Sequence, residues 1–122
     1  MSVVNLSKKF ASFNDVWVPR VVAQLNGQLV KVVKLHGEYI WHRHVHEDEM
    51  FWVISGELKI ELRTQTVTLN PGEFFVVERG VEHRPVATQL VECVLFEPAS
   101  VRTTGDADDH PYTIESSALD SI

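Results

Sequence analysis

The chain has 122 residues, the size of one ordinary domain, with a formal net charge of -6, a sequence pI near 5.4 and one cysteine. No run of Lys or Arg supplies the positive footprint that nucleic acid or an anionic membrane needs, so neither is expected as a partner. Cys93 has no second cysteine to pair with, no window approaches the roughly 18 to 20 apolar residues of a membrane span, and "MSVVNLSKKFASF" is too briefly apolar for a signal peptide, so a cytoplasmic protein is expected.

In chain order, "LSKKFASF" (Leu6 to Phe13) is the one helical candidate, with Leu6, Phe10 and Phe13 on one side. Everything after it reads as β. In "VVAQLNGQLVKVVKL" the Asn26-Gly27 pair, a strong hairpin signal, separates two Val- and Leu-rich runs. "EMFWVIS" follows, then Gly56, then "ELKIEL", in which Leu58, Ile60 and Leu62 alternate with charged residues and give a strand with one wet face. "TVTL" is closed by the Asn70-Pro71-Gly72 turn; "EFFVVE", a second glycine turn at Arg79-Gly80, "EHRPVA" and "QLVECVLFEP" complete the pattern. Short strands, regular turns and almost no helix indicate an all-β antiparallel sandwich or barrel in a single domain, with its core over about residues 18–97. From Pro98 onward the alternation is lost, and this tail (98–122) is expected to wrap the outside or fray.

The stretch "WHRHVHEDE" (41–49) holds the chemistry. If residues 38 to 44 are extended, Glu38, Ile40, His42 and His44 share one face and Tyr39, Trp41 and Arg43 the other. Two imidazoles on one side of a strand lie roughly 6 to 7 Å apart at Cα, within reach of one metal ion. A following strand places Glu49, Phe51 and Val53 on one face and Met50, Trp52 and Ile54 on the other, so Glu49 can join the pair. The remaining ligand must come from elsewhere, and His83, just after a glycine turn at the head of a strand, is the best placed. A histidine-rich acidic turn is ordinarily a solvated one; what argues otherwise is the matching histidine some forty residues away.

"GEYIWHRHVHEDEMFWVISG" (37–56) and "GEFFVVERGVEHRPVA" (72–87) together resemble the two motifs of the cupin superfamily: two histidines one residue apart, a glutamate after four more, a glycine after six more, then two further glycines and a histidine in register. Gly37 stands one residue closer to the first histidine than usual, Glu78 replaces the usual proline and Ala87 the usual asparagine; none of these is a ligand position. The resemblance implies a jelly-roll barrel with a short N-terminal helix and one divalent transition metal (Fe, Mn, Ni, Cu, Co or Zn) on His42, His44, Glu49 and His83. It also implies a homodimer. Imidazoles with one carboxylate and no thiolate suit such a metal, and four protein ligands leave positions open in a six-coordinate shell.

By strand parity the pocket is expected to be lined by Glu38, Ile40, Phe51, Val53 and Pro85, mostly apolar and without an Arg clamp, which points to a small, weakly charged small-molecule ligand rather than a sugar phosphate. The functional expectation is a metal-dependent enzyme of dioxygenase or isomerase type. The alternatives are a non-catalytic, metal-loaded binding or sensing module and a barrel whose metal only holds the fold. Outward-facing Met50, Trp52 and Ile54, with Phe10, Phe13 and Trp17 ahead of the barrel, suggest an apolar strip for the dimer contact.

Overall fold

The computed structural model describes residues 1–122. One short helix, α1 (Leu6–Phe10), precedes seven strands: β1 (Arg20–Leu25), β2 (Gln28–Glu38), β3 (Glu49–Ser55), β4 (Leu58–Leu62), β5 (Thr66–Leu69), β6 (Phe74–Val77) and β7 (His83–Pro98). All strand pairing is antiparallel. The main path runs β1-β2-β7-β3-β6, and β4 joins β7 on one side and β5 on the other.

Asn26 and Gly27 both take positive φ, 51° and 78°, the requirement of a two-residue hairpin whose twist matches its strands, and β1 and β2 pair across them down to Leu25 opposite Gln28. The segments "EHRPVA" and "QLVECVLFEP" are one continuous strand. The first part of β7 pairs with β4, Leu62 opposite His83, and its second part with β3, Val53 opposite Cys93. β2 follows it along most of its length, from Gln28 opposite Pro98 to Glu38 opposite Val86.

Alternation along these strands sorts the side chains. Val33, Leu35, Phe51, Val53, Leu58, Ile60, Ala87, Val91, Cys93 and Leu95 fill the interior, each less than a tenth exposed. Cys93 is one of these packed hydrophobes, and burial pushes its thiol up, far from reactive. Outside, Phe10 and Phe13 pack onto Val32 and Val94, with Ile54 and Val30 at the margin. Helix α1 therefore covers part of the outer face, and Phe10 and Phe13 are satisfied within their own chain. Trp52, Phe74 and Val76 remain exposed on β3 and β6. The helix stops at Phe10, short of the Phe13 boundary suggested by its apolar spacing, and is capped by Asn5, whose side-chain oxygen accepts from the Lys8 N–H at 3.0 Å. Asn5→Ala is expected to cost about 1 kcal/mol, seen as a lower denaturant midpoint with an unchanged slope. An unmoved midpoint would mean that the cap plays no part in docking the helix.

Trp17 crosses to the inside at φ 62°, an unusual conformation for a bulky residue. Its backbone N–H donates to the Lys34 carbonyl at 2.9 Å and its indole N–H to the His36 carbonyl at 3.0 Å, which together fix it in place.

The tail packs rather than frays. Val101 and Thr104 are buried, and Arg102 donates to the carbonyls of Gly105 and Ala107 while pairing with Asp109 and Glu115. Asp106 accepts from both the backbone and the guanidinium of Arg43, Tyr112 stacks on Tyr39 at 5.3 Å, and Ser121 bridges to Val21. These contacts tie the tail to β1, to Tyr39 and to the histidine loop.

Candidate metal centre

His42 and His83 are locked as a backbone pair: each donates its N–H to the other's carbonyl, at 3.1 and 2.9 Å, across an isolated antiparallel bridge. The Arg79-Gly80 turn docks on the histidine loop through the Gly80 N–H to the His44 carbonyl and the Arg79 N–H to Asp48, at 2.9 and 2.8 Å. Exposed Arg79 also pairs with Asp48 through its side chain and holds that carboxyl below its usual range. Glu49 opens β3 and His83 opens β7, so two side chains are set by strand ends and two by the loop between β2 and β3.

The side chains of His42, His44, Glu49 and His83 are all buried, and their ligand atoms all lie within 4.8 Å of one another. Nδ1 of His42 meets the Ile40 carbonyl at 2.8 Å and Nδ1 of His83 the Val81 carbonyl at 2.9 Å. A carbonyl only accepts, so both nitrogens carry the proton and each Nε2 presents a lone pair to the centre. Nε2 of His44 and of His83 lie 3.3 and 3.4 Å from Glu49 Oε1, and none of the three buried atoms has a hydrogen-bond partner in the protein. Buried lone pairs converging without a donor are costly unless a cation lies between them. A divalent transition metal fits this donor set of imidazole nitrogen and carboxylate oxygen.

Burial and the neighbouring charges displace several of these groups from their ordinary ranges. Burial, then the neighbouring His83, lowers His42 to about 4, so its ring is neutral at neutral pH. Burial pulls His44 down, but contact with Glu49 outweighs it and leaves the ring above its ordinary value. Burial pushes the Glu49 carboxyl up, and contacts with Glu97, His44 and His83 outweigh it and hold it well below the usual carboxylate range. Glu97, buried beside Glu49, is held well above that range by burial and by the Glu49 charge.

A cavity of about 40 Å³ adjoins His42 and Glu49. Of the residues expected in the pocket, Phe51 and Pro85 line it. Val53 is buried deeper in the core, and Ile40 is half-buried, packing against the core while its carbonyl orients His42. Glu38 is corrected: it is exposed at the surface, 3.4 Å from Arg84. The cause is a break in the alternation. Leu35 and Tyr39 keep one inward parity with Glu38 outside it, β2 ends at Glu38, and residues 39–41 are not strand, so the parity of His42 does not carry back to Glu38. Tyr39 takes the inward position instead, edge-on to His42 at 5.4 Å and 4.7 Å from Trp17. Trp17, Tyr39, Glu97 and, from the tail, Thr103 also line it, together with core residues such as Val33, Leu35 and Leu95. Only Glu97 left a usable sequence signal, since it shares parity with buried Val91, Cys93 and Leu95. No arginine reaches the cavity; Arg63 and Arg84 lie over the Trp41 ring and pair with Glu82 and Glu61. His46 and His36 are exposed and His110 half-buried, all three outside the cluster.

An antiparallel barrel with three histidines and a glutamate converging at its inner wall defines a cupin. Residues 29–97 match the family model Cupin_2, described as "Cupin domain", and the chain belongs to that family. It is similar to a solved cupin-2 domain containing protein of Shewanella frigidimarina NCIMB 400, at 44% identity and a TM-score of 0.78 over 79% of this chain and 94% of that one. It is also similar to NMB1881 of Neisseria meningitidis, at 28% and 0.74 over 80% and 99%. Among curated proteins, YdbB of Bacillus subtilis, called an uncharacterized protein, is 33% identical over 64 residues, 52% of this chain and 57% of that protein. The matched part thus spans little more than half of that relative. No helix is long and apolar enough to cross a membrane.

Proposed function

We propose that this cupin binds one divalent transition metal through His42, His44, Glu49 and His83 and acts as a small metal-dependent enzyme, of dioxygenase or isomerase type, on a small, weakly charged molecule held in the adjoining cavity. The observation that carries the reading is the convergence of unpartnered buried Nε2 atoms and a carboxylate oxygen on one point. Bound there, the metal supplies Lewis acidity or redox chemistry. The chain's own residues supply the rest: Tyr39, Trp17 and Phe51 present apolar surface that excludes water, and the Ile40 and Val81 carbonyls keep two imidazoles in the ligating tautomer. A cavity of about 40 Å³ with no facing Arg suits a small uncharged group over a phosphate. Besides His42 and Glu49, the same cavity has only Glu97, Thr103 and the polar ends of Tyr39 and Trp17, which favours as the second reading a binding module that turns nothing over. The exposed strip of Trp52, Phe74 and Val76 suits contact with a second copy in a homodimer.

Elemental analysis of freshly purified protein tests the metal. The expected result is close to one transition metal per chain in the wild type and almost none in His83→Ala, because removing a ligand that is fully buried leaves no replacement within reach. Metal-free wild type that stays empty after incubation with each candidate ion would overturn the proposal.

A further inference from the structure

Lys31 is the one lysine or arginine whose side chain lies inside the barrel. It is fully buried, on the inward parity of Val33 and Leu35, and its Nζ lies 2.7 Å from Glu97 Oε1. Glu97 is itself 2% exposed and its Oε2 has no hydrogen-bond donor in the protein. The β3–β7 register pairs Met50 with Phe96, so one step further Glu97 stands directly across from Glu49, and both side chains line the same cavity. Three strands thus bring three charged side chains into one row: Lys31 from β2, Glu97 from β7, Glu49 from β3. At the far end of the row, Glu49 Oε1 points at His44 and His83.

Such a row is costly to bury unless each member fixes the next. We propose that Glu97, anchored by Lys31, is a positioning residue of the metal site: it holds the Glu49 carboxyl so that one oxygen, Oε1, faces the histidines while the group as a whole cannot swing. The inference rests on the metal reading above. It assigns Glu97 and Lys31 a task that neither the four-ligand set nor the cavity lining requires. With Glu97 gone, the Glu49 carboxylate is free to rotate and to present both oxygens to the centre, which changes the coordination of whatever ion is held.

The test uses cobalt(II) as the probe, titrated into metal-free full-length protein and followed by its visible absorption, which reports coordination number and geometry directly. Three variants are compared with the wild type: Glu97→Gln, whose amide can still donate to Glu49; Glu97→Leu, which cannot; and the double variant Lys31→Leu/Glu97→Leu, which removes both charges together and so spares the fold an unpaired ion. The expected result is a cobalt spectrum close to wild type for Glu97→Gln. For both leucine variants it is an altered spectrum with binding weakened about 10- to 100-fold, the range for loss of a residue that orients a ligand. If Glu97→Leu fails to fold, the double variant alone decides. Wild-type spectrum and affinity in the double variant would overturn the proposal while leaving the metal site standing; a wild type that takes up no cobalt or any other candidate ion would remove both.

Discussion

In metal-free protein, Lys31→Met lowers the unfolding free energy by about 3–5 kcal/mol, whereas Lys31→Leu/Glu97→Leu stays within about 1–2 kcal/mol of the wild type. The asymmetry follows from charge. Lys31 Nζ and Glu97 Oε1, 2.7 Å apart and both buried, form an ion pair, and the ammonium is the cation that balances the Glu97 charge. Removing the ammonium alone leaves that charge buried with no counter-ion. Removing both side chains leaves Glu49 with His44, which already carries more positive character than an isolated imidazole because of it. Denaturant unfolding of chelator-treated samples gives the comparison. Adding metal back is expected to recover part of the single variant's loss, since a dication at the histidines restores the balance. Equal losses in the two variants would show that Lys31 matters for its packing and not its charge.

Gly105→Ala is expected to cost about 2–4 kcal/mol and to weaken metal retention, although residue 105 lies in the tail and ligates nothing. A methyl group built at Gly105, where φ is 55°, would collide with the Arg43 carbonyl oxygen and come within 3.2 Å of His42 Cδ2. The Arg43 carbonyl also accepts the Asp106 N–H at 2.9 Å, so the backbone that must yield is the one that ties the tail to the histidine loop. Gly80→Ala is the control: its φ of 80° makes the same conformational demand, but nothing lies within 4 Å of the added carbon, and about 1 kcal/mol is expected. Matched losses of stability and unchanged metal titrations in the two variants would mean that the backbone angle, not the contact with the ligand loop, sets the cost.

These cases mark where the sequence was readable. Strand existence and the gathering of His42, His44, Glu49 and His83 followed from period-two alternation and motif spacing, because antiparallel strands with one dry face write their burial into every second residue. Parity failed between Tyr39 and His42, where β2 has ended and the chain is no longer extended in a ladder, and it misplaced Glu38 for that reason. Lys31 and Glu97 sat on inward parity all along; a lysine there demanded a partner, but only the register across β2, β7 and β3 identifies which carboxylate it is. The tail was illegible because its burial comes from single contacts, Tyr112 on Tyr39 and Asp106 on Arg43, and not from any repeating pattern.

Strand β7 has a consequence for how the chain is made. It pairs with β2, β3 and β4, contributes His83 near one end and Glu97 near the other, and finishes at Pro98. A ribosome delivers residues in order, so β2 waits for its β7 partners, 48 positions downstream for Glu38 and 70 for Gln28, while the β1–β2 hairpin and the β3–β6 pair need nothing from β7 and can close early. Until then the edges of β2 and β3 stand open in the nascent chain. Barrel closure and assembly of the His42–His44–Glu49–His83 cluster therefore both wait for β7, and translation that halts before residue 83 yields neither.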